Sequence, residues 1–279
     1  MLRTANPAQR TDIFGPAQKW EDLEARGVAV PPRDAARAEP GKMSVAGTAN
    51  KTLILLGLCA ATAVFTWDLV APGADGSATI GYGLPLFGGA IAGFIVALVT
   101  IAKPRIAPAT APVYALLEGA VLGSVSALYA HEFGTTENGV LTPNYAMIAQ
   151  AVLLTFGVLG AMLIAYATRL IKPSRKFAAG VVAATGGIAL VYVATLVLGL
   201  FGVGIPYIHD AGPIGIGFSL FVIVIAALNL VLDFDYVETG VRAGAEKRYE
   251  WYAAFSLMIT LVWLYLEILR LLSKLQSRD

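Results

Sequence analysis

The chain is short of charge. Lys, Arg, Asp and Glu make up 14% of its 279 residues, 20 basic against 19 acidic, where a soluble domain carries roughly 25%. That shortage argues against an ordinary soluble enzyme. The net charge of +1 gives no bulk field to recruit nucleic acid, and no basic stripe with interleaved aromatics is present, so nucleic acid is not an expected partner. Cysteine is nearly absent: Cys59 stands alone, which excludes an intrachain disulfide and a cysteine metal knuckle. The two histidines, His131 and His209, fall at loop positions and make no HExxH pair for zinc. Ser219 has no histidine after it in the last apolar run to serve as its base. Lys274 stands at the end of that run, not in its middle, where a retinal-binding pump needs a lysine. Neither an enzyme nor a bound cofactor is therefore expected.

What the chain has in abundance is apolar sequence, 57% of all residues. Fourteen of the 39 charges lie in the first 51 positions, leaving 25 for the remaining 228. Residues 1–49, with Pro7, Pro16, Pro31, Pro32 and Pro40 among mixed charges, read as a mostly disordered tail. Its apolar region starts too late for a cleaved secretory signal, so the first span is expected to act as a signal-anchor. Residues 50–279 read as an all-α membrane domain of seven helices, at about 52–70, 80–102, 112–131, 145–168, 177–202, 213–233 and 250–274. Each is near the roughly 20 residues that a bilayer core demands, and only a helix pairs its own backbone groups within hydrocarbon. Small residues at four-residue spacing, Gly89 with Gly93 and Gly119 with Gly123, predict close helix packing.

Basic residues orient the spans. Lys42 and Lys51 precede the first helix, Lys103 and Arg105 occupy the second loop, Arg169, Lys172, Arg175 and Lys176 the fourth, and Arg242, Lys247 and Arg248 the sixth. The odd loops have no Lys or Arg, which places the N-terminus in the cytoplasm. Seven crossings send the C-terminus outside, where Arg270, Lys274 and Arg278 run against the rule.

An ionisable group inside a span costs roughly 2.5 to 3.5 kcal/mol or more, so each one needs a partner, water or a task. Two groups of acids follow from depth. An inner group holds Glu118, Asp233, Asp235 and Glu238, with Asn229 one turn from Asp233; an outer group holds Asp68 and Glu267, with Arg270 one turn from Glu267. Glu267 and Arg270 read as an internal ion pair, and Asp233 and Glu238 as a solvated helix end. Asp235 and Glu118 are the best candidates for a proton-sensitive pair, since carboxylates sharing a poorly hydrated site cannot all ionise. Their oxygens also suit a calcium ion in transit. Thr260 and Gln150 are supporting polar positions within spans seven and four.

Several segments carry a family resemblance: Val45 to Thr52 (VAGTANKT), Leu117-Glu118-Gly119, Gln150-Ala151 with Thr155-Phe156, Gly215 to Ser219 (GIGFS), Ala227 to Asp235 (ALNLVLDFD), Glu250 to Phe255 (EWYAAF) and Leu264 to Glu267 (LYLE). From about Ser44 to Leu275 the chain resembles the Bax inhibitor superfamily, also called transmembrane Bax inhibitor motif proteins, in its long bacterial YccA-like branch. The resemblance implies seven helices with the last one central and two groups of three around it. It also implies a pH-sensitive calcium leak, in which an aromatic-Asp motif in helix six pairs with an acid in helix seven. Phe234-Asp235 matches the first member. For the second, spacing places Thr260 where the acid belongs, while the leucine-tyrosine-leucine-acid motif places Glu267 there. Two other functions remain in view: a scaffold or stress regulator acting on membrane proteases or other membrane proteins, and a secondary transporter, against which the absence of an inverted repeat weighs.

Overall fold

The structure is a computed structural model and describes residues 41–71, 80–137, 140–202 and 210–277. The expected tail up to residue 40, His209 and Arg278 lie outside the described residues. Among those described, seven helices are long and apolar enough to cross a membrane.

Helix α1, Val45–Val70, begins seven residues before the expected start. Ser44 caps it, its hydroxyl accepting from Gly47 N–H at 2.9 Å, which satisfies one of the four backbone donors that a helix start leaves unpaired. Residues 45–49 are thus helix, not tail, and Lys51 lies inside α1. The polarity that disguised this turn is absorbed locally: Thr48 and Thr52 donate to the carbonyls of Ser44 and Thr48, each at 3.0 Å. Helix α2, Leu84–Ala102, opens with a π-helical turn at Leu84–Gly88. Helix α3, Ala107–Glu132, follows a 3-10 turn at Pro104–Ile106 and carries Pro112 inside it. A short antiparallel hairpin, β1 Thr135–Glu137 and β2 Val140–Thr142, pairs Thr135 with Thr142 and adds to an otherwise all-α fold. Helices α4, Tyr145–Ala167, and α5, Arg175–Leu200, fall close to their expected bounds.

Helix α6, Pro213–Arg242, runs nine residues past the expected end at 233. Asp233, Asp235 and Glu238 therefore lie within the helix; Asp233 is fully buried and not at a solvated end, while Glu238 stays partly exposed. The extension is stabilised where it is polar, by an ion pair one turn apart between Arg242 and Glu238. It closes at Gly244, whose positive φ of 64° suits a helix stop. Helix α7, Tyr249–Gln276, completes the set.

Helix α7 is the axis. It packs against α1, α3, α4 and α6, while α2 leans on α3 and α5 on α6. Two groups of three helices thus surround the last one. Its buried face carries Tyr252, Phe255, Met258, Leu264 and Leu269 at full burial. The glycine spacing acts as expected. A side chain at Gly119 would meet the backbone of Cys59, and one at Gly123 the backbone of Ala63, so α1 and α3 touch backbone to backbone.

Candidate functional site

Polar side chains join α7 to its neighbours at successive levels along its length. At the N-terminal end of α7, Glu250 is fully buried (0% exposed). It accepts from Ser44 N–H at 3.0 Å and from the Ser44 hydroxyl at 3.1 Å, and Lys51 Nζ stands 2.6 Å from its second oxygen. Gly47 lies flat against this carboxylate, with no room for a Cβ. The segment before α1 reinforces the clamp, Met43 N–H donating to Ala245 at 2.7 Å and Lys247 N–H to Gly41 at 2.9 Å. None of this cluster was read as a site from sequence. The sequence carries the signal, since Ser44, Gly47 and Lys51 share one helical face by their spacing of three and seven, but it is visible only once Lys51 lies inside the helix.

A little under two turns further along α7, the Ser256 hydroxyl donates to Asp233 Oδ1 at 3.1 Å. Asp233 is fully buried (0% exposed), as is Ser256, so a carboxyl group lies in the wall between α6 and the axial helix. Asn229, one turn away, donates to the Thr185 hydroxyl of α5 at 2.9 Å and to Ile225 O at 2.8 Å. Thr260 is buried on α7, its hydroxyl 3.4 Å from the Ser256 carbonyl. Ser256, one turn before Thr260, thus meets α6 from α7, a residue that sequence reasoning did not single out.

Asp235 points elsewhere. Half-buried on α6, it has Glu238 and Arg242 of its own helix as its nearest charges. The Tyr166 hydroxyl of α4 donates to Glu238, and the Tyr166 ring packs on Phe234 with centroids 5.7 Å apart. Glu118 lies on α3, where the Tyr114 hydroxyl reaches it from one turn below, with Cys59 of α1 and Gly93 of α2 alongside. Helices α3 and α6 are not packed against each other, so the expected neighbourhood of Asp235 and Glu118 is not formed. Sequence depth placed the two at one level; it could not tell that α7 stands between their helices. Among the described residues, no group of three or more His, Cys, Asp or Glu side chains could hold a metal ion.

In the C-terminal half of α7, Glu267 is buried (1% exposed). Arg270 Nη1 lies 2.8 Å from its Oε2, as expected from the sequence, and a third member joins from α5. The Tyr192 hydroxyl donates to Glu267 Oε2 at 2.7 Å and accepts from Arg270 at 2.8 Å, and the guanidinium sits 5.1 Å above the Tyr192 ring. Lys274 is buried and donates to Gly215 O at 2.9 Å and to Ser219 Oγ at 3.0 Å. Of the three cations that run against the orientation rule, Lys274 is thus buried and Arg270 is partly buried in an ion pair. Asp68 is exposed near the end of α1 and takes no part in this cluster, and Gln150 is exposed on α4.

The family profile described as Bax inhibitor 1 like matches residues 6–277 of this chain. The chain belongs to the Bax inhibitor 1-like family. Membership agrees with the seven apolar helices and the axial position of the last one. Measured against the acid pair that the family resemblance implies, the α6–α7 contact departs in one respect: the acid comes from α6 and the hydroxyl of Ser256 from α7. No curated protein and no solved structure matches the chain significantly.

Proposed function

We propose that this protein provides a passive cation leak across the bilayer, with calcium as the permeant ion, and that the contact between Asp233 and Ser256 holds the closed state. The observation that carries this reading is the full burial of a carboxyl group between α6 and the axial helix. Burying such a group is costly unless it has a task, and here it carries the ionisable half of a helix-helix contact. A hydrogen bond to an ionised acceptor is roughly twice as strong as a neutral one. Protonation of Asp233 therefore weakens the contact, and α6 loosens from α7. Asp235 and Glu238, with Arg242 and Tyr166 beside them, line the approach from the inner side. Glu118 supplies a carboxylate on the other half of the bundle, and Glu267 one in the outer half. Calcium would meet these oxygens singly in transit. The same reading has the N-terminus in the cytoplasm, and neither catalysis nor a bound cofactor enters it.

A second reading, a non-conducting scaffold that binds membrane proteases or other membrane proteins, is favoured by one observation. Glu250, Glu238 and Glu267 are each already matched by a cation, Lys51, Arg242 and Arg270. Reconstitution separates the two. Purified protein in liposomes loaded with a calcium-sensitive dye is expected to pass calcium above the rate of empty liposomes. Absence of flux, together with copurification of a membrane protease, would establish the scaffold instead.

A further inference from the structure

Helix α4 ends at Ala167 in a Schellman turn: Leu170 N–H donates to Ala165 O at 2.9 Å and Arg169 N–H to Tyr166 O at 3.0 Å. The residue between these bonds must adopt the left-handed conformation, and glycine usually supplies it. This chain follows that rule at the end of α6, where Gly244 (φ 64°) carries the same pair of bonds, and a left-handed glycine, Gly202 (φ 74°), also closes α5. At the end of α4 the position is filled by Arg169, with φ 58°, the one non-glycine residue of positive φ among those described. A strained position is thus occupied by a long cation.

That cation does not stand alone. Lys172, Arg175 and Lys176 follow within two helical turns, and all four are exposed. Among the described residues none of them is ion-paired with an acid, whereas Arg242 and Arg248, in and beside the α6–α7 loop, are paired with Glu238 and Glu246. Between the cations stands Leu170, 81% exposed, continuing the exposed apolar surface of Leu163 and Ile164 on the last turns of α4. Helices α4 and α5, though consecutive, are not packed against each other, so an open apolar seam runs away from the loop into the bilayer.

We propose that the α4–α5 loop is a docking site for the phosphate headgroup of an anionic phospholipid. The four cations complement the phosphate, Leu170 enters the interface beside the glycerol region, and the acyl chains lie along the α4–α5 seam. A soluble phosphate would match the charges but has no use for the exposed leucine and the seam. Juxtamembrane Lys and Arg act in this way by adding a screened attraction per charge near the headgroup plane.

The test uses the full chain in nanodiscs of mixed phosphatidylcholine and phosphatidylglycerol, with the lipids retained on the released protein counted by native mass spectrometry. The wild type is expected to retain phosphatidylglycerol selectively, in a salt-sensitive way. The quadruple variant R169Q/K172Q/R175Q/K176Q is expected to lose that selectivity, at about fivefold per cation at low salt. Arg169→Gly separates the roles, because glycine suits the backbone there: it is expected to keep or raise thermal stability while lowering phosphatidylglycerol retention. The proposal is overturned if Arg169→Gly stabilises the protein with retention unchanged. It is also overturned if the quadruple variant loses no more selectivity than Lys103→Gln with Arg105→Gln on the α2–α3 loop.

Discussion

Lys51 Nζ lies 2.6 Å from Glu250 Oε2, joining the first and last membrane helices through a wholly buried carboxylate. Removing one member of a buried pair leaves the other uncompensated, at a cost of about 3 kcal/mol or more. Lys51→Met is therefore expected to lower thermal stability in detergent sharply, because Glu250 has no exposure through which to find another cation. The double variant Lys51→Met with Glu250→Gln is expected to lose less than the sum of the two single losses. Strict additivity in this cycle would show that the two residues do not interact.

Tyr192 ties α5 into the Glu267–Arg270 cluster. Its hydroxyl serves both Glu267 and Arg270, and α5 otherwise rests on α6. Tyr192→Phe is expected to cost about 1 to 2 kcal/mol, the range for a hydrogen bond between membrane helices. Spin labels on α5 and α7 are expected to report a broader distance distribution near Tyr192 and Glu267. An unchanged distribution would mean that packing on α6 alone positions α5.

The glycines divide into two kinds with opposite responses. Gly119 and Gly123 face the backbone of α1 closely enough that a side chain cannot be placed, so Gly119→Val and Gly123→Val are expected to abolish folding. Gly157 and Gly160 of α4 have open space at the Cβ position. Alanine at either is expected to stabilise by about 0.5 to 1 kcal/mol through reduced backbone freedom. Fluorescence-detected size-exclusion after heating measures both. Equal tolerance at all four positions would contradict the close approach of α1 and α3.

The number of spans and the glycine seams were legible in the sequence because they rest on long apolar runs and on missing side chains, whereas the axial place of α7 was implied only by the family resemblance. Helix ends were less so. The segment from Val45 to Lys51 looks like tail until Ser44 caps it and Glu250 receives its lysine, and Asp233 to Glu238 looks like a helix end until Arg242 and Tyr166 answer the charges. Depth along a helix could be counted from the sequence, but rotation about the bundle could not. Asp233 and Asp235 are two residues apart, so they face directions about 200° apart on an α-helix. One of them meets Ser256 on the axis and the other turns toward Tyr166. Ser256 and Tyr192 carried no signal of their own, since a single hydroxyl in a span is most often a packing group.

The most direct measurement of the central claim is the ratio of calcium flux at acidic pH to flux at neutral pH in liposomes, for wild type and Asp233→Asn. An ionised Asp233 accepts strongly from Ser256 and a protonated one weakly, so wild-type flux is expected to rise as pH falls. Asparagine reproduces the neutral side chain at every pH, so the variant is expected to leak at a high rate with a ratio near one. Ser256→Ala, which removes the donor, is expected to raise the neutral-pH flux without abolishing the fold. A wild-type pH response that survives unchanged in Asp233→Asn would contradict the role given to the Asp233–Ser256 contact.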